Sequence, residues 1–380
     1  MTENNDLQIT MKKRLYGALP QQDITRLIQN GFVTGVQVGS ESIQPASLDL
    51  TLTDRVYELD GVALPARNEH MRHFREALGA RETSFDKPLE VGKAYLALLA
   101  EGFHLPDSIY GYVNPKSSTG RVDVHARLLS DECESFDSVR TGYRGPVWVH
   151  IVPKSFRTKL QPGMCLNQMR FFSGDTRFTQ TDLEAEHAAN PLVWDMKMGY
   201  PVQLDRVSAP NRNGTVVLHA DLSSDVVGWR AKKTKEILDL SQRNIDPTVF
   251  WVTARPENGK LLLKKGQFWI LSTKEGVVVP PWLSAEVVAM DERFMEGRTH
   301  YAGFFDPGWG WRPDSPMGDT ATMEVRTSED VYLRDGQLFV AFRFERMTNV
   351  PDVLYGAGSN YAGQLGAKLA KFFAPFPAGA

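Results

Sequence analysis

Only two of the 380 residues are cysteine, Cys133 and Cys165, and neither belongs to a C-x-x-C pair. A disulfide framework therefore has no material, and structural zinc has no thiolate set to bind it. Neither charge sign is in excess: 43 Lys and Arg stand against 46 Asp and Glu, a formal charge of −3. That balance gives no general attraction to a polyphosphate backbone, which excludes a DNA or RNA polymer as the expected partner but not one small phosphorylated ligand. No apolar run approaches the ~20 residues of a membrane-spanning helix, so no membrane partner is expected. The opening MTENNDLQIT lacks the pattern of a signal peptide, and the expected location is cytoplasmic. What is abundant is core material. A composition of 42% hydrophobic, 23% charged and 10% aromatic residues excludes disorder and suits two packed domains.

Gln22 to Asn30 has apolar residues at helical spacing and ends at Gly31, which predicts one short helix. Beyond it the segments are short, β-branched or aromatic, and separated by Gly, Pro, Asp and Ser. Ser47–Leu52, Lys93–Leu99, Val147–Val152 and Gln168–Phe172 read as strands in the first half. Thr215–Leu218, Val249–Thr253, Phe268–Leu271, Val277–Val279, Thr322–Arg326 and Leu338–Phe344 follow in the second. The intervening polar stretch, with Pro191, Pro201 and Pro210, reads as a connection. The expected division is a domain over 1–175, a connection over 176–213 and a second domain over 214–380.

The two halves repeat one order of punctuation. Leu89 to Val113 matches Leu262 to Val288 in hydrophobic beats and in turn Gly and Pro, and Pro45-Ala46-Ser47-Leu48 is laid against His219-Ala220-Asp221-Leu222. A rhythm common to all β-meanders is the other reading of this likeness. The densest polar cluster is Lys116-Ser117-Ser118-Thr119-Gly120-Arg121. Its hydroxyls and cations suit phosphate oxygens, although no G-x-x-x-x-G-K precedes it and a plain polar turn has the same composition.

Taken in order, these residues resemble the dCTP deaminase branch of the dUTPase-like, β-clip superfamily. Ile43-Gln44-Pro45-Ala46-Ser47-Leu48-Asp49-Leu50 is similar to its early Pro-Ala-Ser motif, and Lys116 to Arg121 to its Arg-Ser-Ser-x-x-Arg phosphate motif, with Lys116 replacing Arg. Leu160-Gln161-Pro162-Gly163-Met164 with Asn167-Gln168-Met169 resembles the closing strand pair. Ala302-Gly303-Phe304-Phe305-Asp306-Pro307-Gly308-Trp309 resembles the family's Asp-Pro-Gly turn, after which Glu324 falls at the catalytic Glu position. Tyr361-Ala362-Gly363-Gln364-Leu365-Gly366 is similar to its Y-x-G-Q-x-G tail.

The resemblance implies a mainly β fold of two tandem β-clip domains, each a distorted β-barrel, with a few short helices. It implies a hydrolase acting on a cyclic amidine C–N bond, dCTP to dUTP and ammonia, in pyrimidine deoxynucleotide metabolism. Glu324 would be the general base and acid, Ala302 would shape the base pocket, and Asp306 would belong to the catalytic set. Lys116, Ser117, Ser118 and Arg121 would hold the triphosphate, and Tyr361 and Gln364 would close over it. Mg²⁺ would arrive with the nucleotide; zinc and protein metal ligands are not expected, since the H-x-E…P-C-x-x-C signature of zinc deaminases is missing.

The halves depart from the family in complementary ways. The first half has His150 where the family has Glu, and the second has Met290-Asp291-Glu292-Arg293 where hydroxyls should meet phosphate. Thr327 replaces an Asn, and Trp311 to Asp319 is an insertion. The expectation is one composite site per chain. A dUTP diphosphatase, in which Asp306 orients water, a bifunctional enzyme and a non-catalytic nucleotide-binding regulator are the alternatives. Relatives form trimers with sites between subunits, so a homo-oligomer is compatible.

Overall fold

A computed structural model of the chain describes residues 16–377 apart from 290–292, 294–296, 300, 314–315, 357–358 and 360. Three of the four residues in the Met290–Arg293 comparison lie outside the described residues, as do parts of the Trp311–Asp319 insertion and of the Gly-rich tail. The first half is built on β1 (Leu48–Leu59), β2 (Ala94–His104), β3 (Ile109–Pro115), β4 (Val124–Ser130), β5 (Ser138–Val139), β6 (Arg144–Pro153) and β7 (Cys165–Ser173). They form one sheet in the order β4-β6-β2-β1-β7-β3-β5. The second half uses β8 (Thr215–His219), β9 (Phe268–Val277), β10 (Leu283–Val288), β11 (Phe304–Phe305), β12 (Asp319–Thr327) and β13 (Leu338–Arg346). Here β8-β13-β10-β11 is one sheet, and β9 pairs with β12 in another.

The two halves use one pairing scheme. Val113 of β3 opposes Met169, which opposes Leu48; Val287 of β10 opposes Phe342, which opposes Val216. The register slips between Cys165 and Asn167 in the first half and between Leu218 and His219 in the second. A further slip precedes Gly102 in β2 and Gly276 in β9, and the residue before each is a buried Glu. Glu101 accepts the Thr51 N–H at 2.9 Å, and Glu275 accepts the His219 N–H at 2.9 Å, so each bulge carries its own hydrogen-bond acceptor. This register makes Thr215-Val216-Val217-Leu218 the counterpart of Ser47-Leu48-Asp49-Leu50. The alignment on His219-Ala220-Asp221-Leu222 is displaced along the chain.

The expected helix is present as α1 (Gln21–Gln29), with Ile24, Leu27 and Ile28 buried on one face. Residues 176–213, read as a connection, hold a helix of their own, α2 (Gln180–Ala189), started by a reciprocal cap between Thr179 and Asp182. Leu183, Leu192, Val193 and Val207 of this stretch belong to the second-half core. Phe268–Leu271 and Val277, which begins the segment read separately as Val277–Val279, lie in the single strand β9, whose polar middle is buried apart from Lys274.

The first core runs across the junction. Phe156 meets Phe250 and Trp251 edge-on at 5.2 and 5.4 Å, and Phe268, Ile270 and Phe373 join the same cluster as Val149 and Phe171. A short parallel pairing, Arg157–Lys159 against Ile237–Asp239, adds backbone bonds between the halves. At the centre lies the fully buried Arg170 of β7, whose four acceptors are all in the second half. It donates to Asp306 Oδ1 at 3.2 Å, Glu345 Oε2 at 2.9 Å, the Ala285 carbonyl at 3.2 Å and the Phe305 carbonyl at 3.3 Å. Arg170→Met would leave two buried carboxylates without their cation. A loss of roughly 3–5 kcal/mol is expected, read as a lower urea midpoint than that of wild type.

Candidate active site

The phosphate-motif residues sit at a turn forced by their own backbone. After β3, chain direction reverses through the one-turn helix Ser117–Gly120, and Lys116 and Arg121 flank it. Lys116 is ion-paired to Asp49 of β1, the last acidic position of the Pro-Ala-Ser segment. Arg121 is buried; its guanidinium donates to Gln364 Oε1 at 3.1 Å and to the Lys368 carbonyl at 2.9 Å. Its face lies 3.9 Å from the centre of the Tyr361 ring, a cation–π contact. Arg121 Nε is buried with no partner among the described residues.

Glu324 enters from the other half. It is buried in the centre of β12, a strand covered on both faces, and Oε2 accepts the N–H groups of Tyr301 at 2.9 Å and Ala302 at 3.3 Å. Burial pushes its carboxyl up to about 7, against the opposing pull of those N–H groups and of Arg121. Oε1 faces Gly120: a Cβ built there would lie 2.8 Å from it and 3.2 Å from the Ala302 nitrogen. Only a residue without a side chain lets the phosphate motif and the Glu324 strand approach this closely.

Asp306 sits at the end of the turn that Arg170 holds. Burial raises its carboxyl, and the Arg170 guanidinium opposes that rise. Gly308, at φ +93°, permits the reversal that returns Trp309 to the core. The C-terminal tail then crosses the junction. Gln364 donates to the Thr320 carbonyl at 3.1 Å and to Thr322 Oγ1 at 2.5 Å, while Gly363 N–H is accepted by Asp319 at 2.9 Å.

Lys116, Ser117, Ser118, Arg121, Ala302, Asp306, Glu324, Tyr361 and Gln364 all line one cavity of about 780 Å³, with walls from both halves and from the tail. Asp49, Gln168, Thr322 and Lys371 line it too, and sequence reasoning assigned them no role. Asp49 and Gln168 lay within motifs already noted; Thr322 and Lys371 carried no signal. Asp49 and Asp306, the two aspartates in the cavity lining, are each already paired to a cation. No group of three or more His, Cys, Asp or Glu among the described residues is placed to hold an ion.

Strand register locates the first-half counterpart of this site. His150 opposes Leu96 as Glu324 opposes Ile270. Val113 N–H bonds to the Asp137 carbonyl as Val287 N–H bonds to that of Gly303, so Phe136 stands where Ala302 does. The Phe136 ring lies 6.3 Å from that of His150, and burial holds the imidazole down to about 4. A methyl group in one half is a phenyl ring in the other, and the ring occupies the space against His150.

The family description "2'-deoxycytidine 5'-triphosphate deaminase (DCD) N-terminal domain" matches residues 15–175. The corresponding C-terminal domain description matches residues 180–373. The chain belongs to the dCTP deaminase family. No curated protein matches this dCTP deaminase family member. Among solved structures it is similar to 2'-deoxycytidine 5'-triphosphate deaminase from Agrobacterium tumefaciens, at 30% identity and a TM-score of 0.78, over 89% of this chain and 100% of that one.

The raised Glu324 carboxyl has a consequence for stability. The folded state holds this proton more tightly than the unfolded state, so the contribution is complete below pH 4.5 and is lost as pH rises through about 7. At about 1.4 kcal/mol per pH unit, the ionised group costs on the order of 3 kcal/mol in the folded protein above pH 7. Glu324→Gln cannot ionise. It is expected to unfold at higher urea concentration than wild type at pH 8, and at nearly the same concentration at pH 4.5.

Proposed function

We propose that this protein deaminates dCTP to dUTP and ammonia without zinc, with Glu324 moving the protons. The observation that carries the reading is the meeting of Glu324 with the Lys116–Arg121 motif in one cavity. Hydrolytic deamination needs water to add at C4, a proton to leave that water, and a proton to reach the departing amine; the balance is dCTP and water to dUTP and ammonia. Glu324 Oε2 is held by two backbone N–H groups, which leaves Oε1 to accept the water proton and return it to the amine. A carboxyl near pH 7 suits both transfers, because neither protonation state is costly to reach.

Ala302, Phe304, Phe305 and Trp309 supply the apolar walls for the base. Ser117 and Ser118 offer hydroxyls to phosphate, and Arg121, with its unsatisfied Nε, offers a charged donor. Gln364 and Tyr361 hold Arg121 in place from the tail side and help exclude water. Mg²⁺ bound to the triphosphate would neutralise part of its charge, coordinated by phosphate oxygens and water, since Asp49 and Asp306 are committed to Lys116 and Arg170. The place of the reaction is the supply of dUTP to pyrimidine deoxynucleotide metabolism, in the cytoplasm.

Purified protein incubated with dCTP and Mg²⁺, with and without a zinc chelator, is expected to yield dUTP equally in both. Anion-exchange chromatography reads the products. Accumulation of dUMP would make the enzyme bifunctional, and no turnover of dCTP or dUTP would leave a nucleotide-binding regulator. Glu324→Gln is expected to lower kcat by about 10²–10⁴-fold. The wild-type kcat/KM should fall about tenfold per pH unit below about 7, the range in which Glu324 takes up its proton. Gly120→Ala drives a methyl group into Oε1 and is expected to cost about 10²-fold in kcat while leaving the far-ultraviolet circular dichroism spectrum unchanged.

A further inference from the structure

Beside the main cavity lies a second lobe of about 270 Å³. The two share Lys116, Ser118, Cys165 and Lys371, but Glu324, Ala302 and Asp306 do not line the lobe. Arg243 and Ser241 complete its polar wall, and they come from a second-half loop. That loop and the C-terminal tail are fixed to each other: Ile245 N–H bonds to the Phe372 carbonyl at 3.0 Å, and Ala374 N–H to the Ile245 carbonyl at 2.9 Å. The Lys371 N–H donates to Tyr361 Oη at 3.1 Å, so the ring that supports Arg121 also fixes Lys371.

Three cations therefore converge on this lobe, and one carboxylate answers them. Asp49 is taken by Lys116. Arg243 is exposed; among the described residues it donates to the Leu240 and Gln242 carbonyls, at 3.3 and 2.9 Å, and rests 5.1 Å from the Phe372 ring centre. Among the described residues neither Arg243 nor Lys371 forms an ion pair. Burial lowers the Lys371 ammonium, Lys116 and Arg243 lower it further, and Asp49 opposes the fall. Asp49 alone answers three positive charges, and an anion of several charges would relieve their mutual repulsion. The Ser118 and Ser241 hydroxyls line the lobe with the cations and can donate to phosphate oxygens.

We propose that this lobe receives the outer phosphates of the nucleoside triphosphate, and that Arg243 and Lys371 set the preference for a triphosphate over shorter phosphate chains. The proposal rests on the deaminase reading for its substrate. The base occupies the Glu324 side, the Ser117–Arg121 turn holds the inner phosphate, and the chain of phosphates runs past Lys116 into the lobe. The Arg that the family places at the Lys116 position would grip two oxygens; Lys116 offers a single charged point. Arg243 supplies the fork that Lys116 lacks, and Lys371 adds a further charge.

The test compares steady-state kinetics on dCTP and dCDP for wild type, Arg243→Gln, Lys371→Gln, Arg243→Lys and, as a control of equal charge change, Lys235→Gln at the exposed surface. The two Gln variants in the lobe are expected to raise KM for dCTP about tenfold, with kcat and the KM for dCDP altered by less than about twofold. Arg243→Lys should recover part of the loss, Lys235→Gln should match wild type, and thermal melting should show all five proteins folded. An unchanged KM for dCTP, or an equal rise for dCDP, would overturn the proposal. Calorimetric titration with inorganic tripolyphosphate separates the lobe from the chemistry. If wild type fails to turn over dCTP, the deaminase reading falls, and the lobe stands only if tripolyphosphate binds wild type more tightly than Arg243→Gln.

Discussion

A guanidinium with no access to water must find acceptors, and Arg170 finds all of its acceptors across the junction. Such a group tolerates little displacement, because any shift that breaks one bond leaves a buried charge undercompensated. The two carbonyls it holds belong to β10 and to the Phe304–Phe305 strand, and one of the two carboxylates is Asp306. The strand that ends the first half thereby fixes the Asp306-Pro307-Gly308 turn of the second. The contact between Gly120 and Glu324 lies downstream of that constraint: the phosphate motif follows β3, which pairs directly with the Arg170 strand.

The halves are alike in backbone and unlike in what they present. Both carry the same pairing scheme and the same two bulges, each with a buried Glu accepting a neighbouring N–H. Against that common frame, Ala302 and Phe136, or Glu324 and His150, differ only in side chain. Space and a carboxyl raised to about 7 are on one side, and a ring against an imidazole lowered to about 4 is on the other. The phosphate motif is retained in the half that lacks the Glu, so the pieces become useful only where the halves face each other.

Much of this was legible in the sequence because the informative residues are local. The Asp-Pro-Gly turn announces itself in consecutive letters, and Glu324 follows from it by counting along a strand. The Ser-Ser cluster and the glutamine-containing tail are likewise contiguous. What escaped depends on distance in space. Arg170 sits between Met169 and Phe171 in an ordinary strand pattern, and nothing near it in sequence identifies its four partners. Lys371 and Arg243 lie far apart in the chain and gain meaning only from the loop that joins the tail to Ile245. Local errors had local causes. Ser272 to Glu275 separated two strand segments in the sequence because it is polar, yet its polar groups are met within the fold, as where Thr273 Oγ1 donates to the Glu275 carbonyl at 3.0 Å. The second-half repeat was misaligned because a small residue between polar neighbours, Ala220, imitated Ala46. The register of β8 against β13 resolves it.

The cavity walls described above belong to a single covalent chain. Their encounter is therefore an intramolecular event, governed by the effective concentration that the connecting polypeptide imposes and not by how many molecules share the solution. A pocket assembled from separate subunits dissolves when its protein is scarce; this one keeps both of its sides at any dilution. The same linkage has a converse. A change that weakens the packing of one half reaches the site through the same linkage, because that half supplies one of its walls.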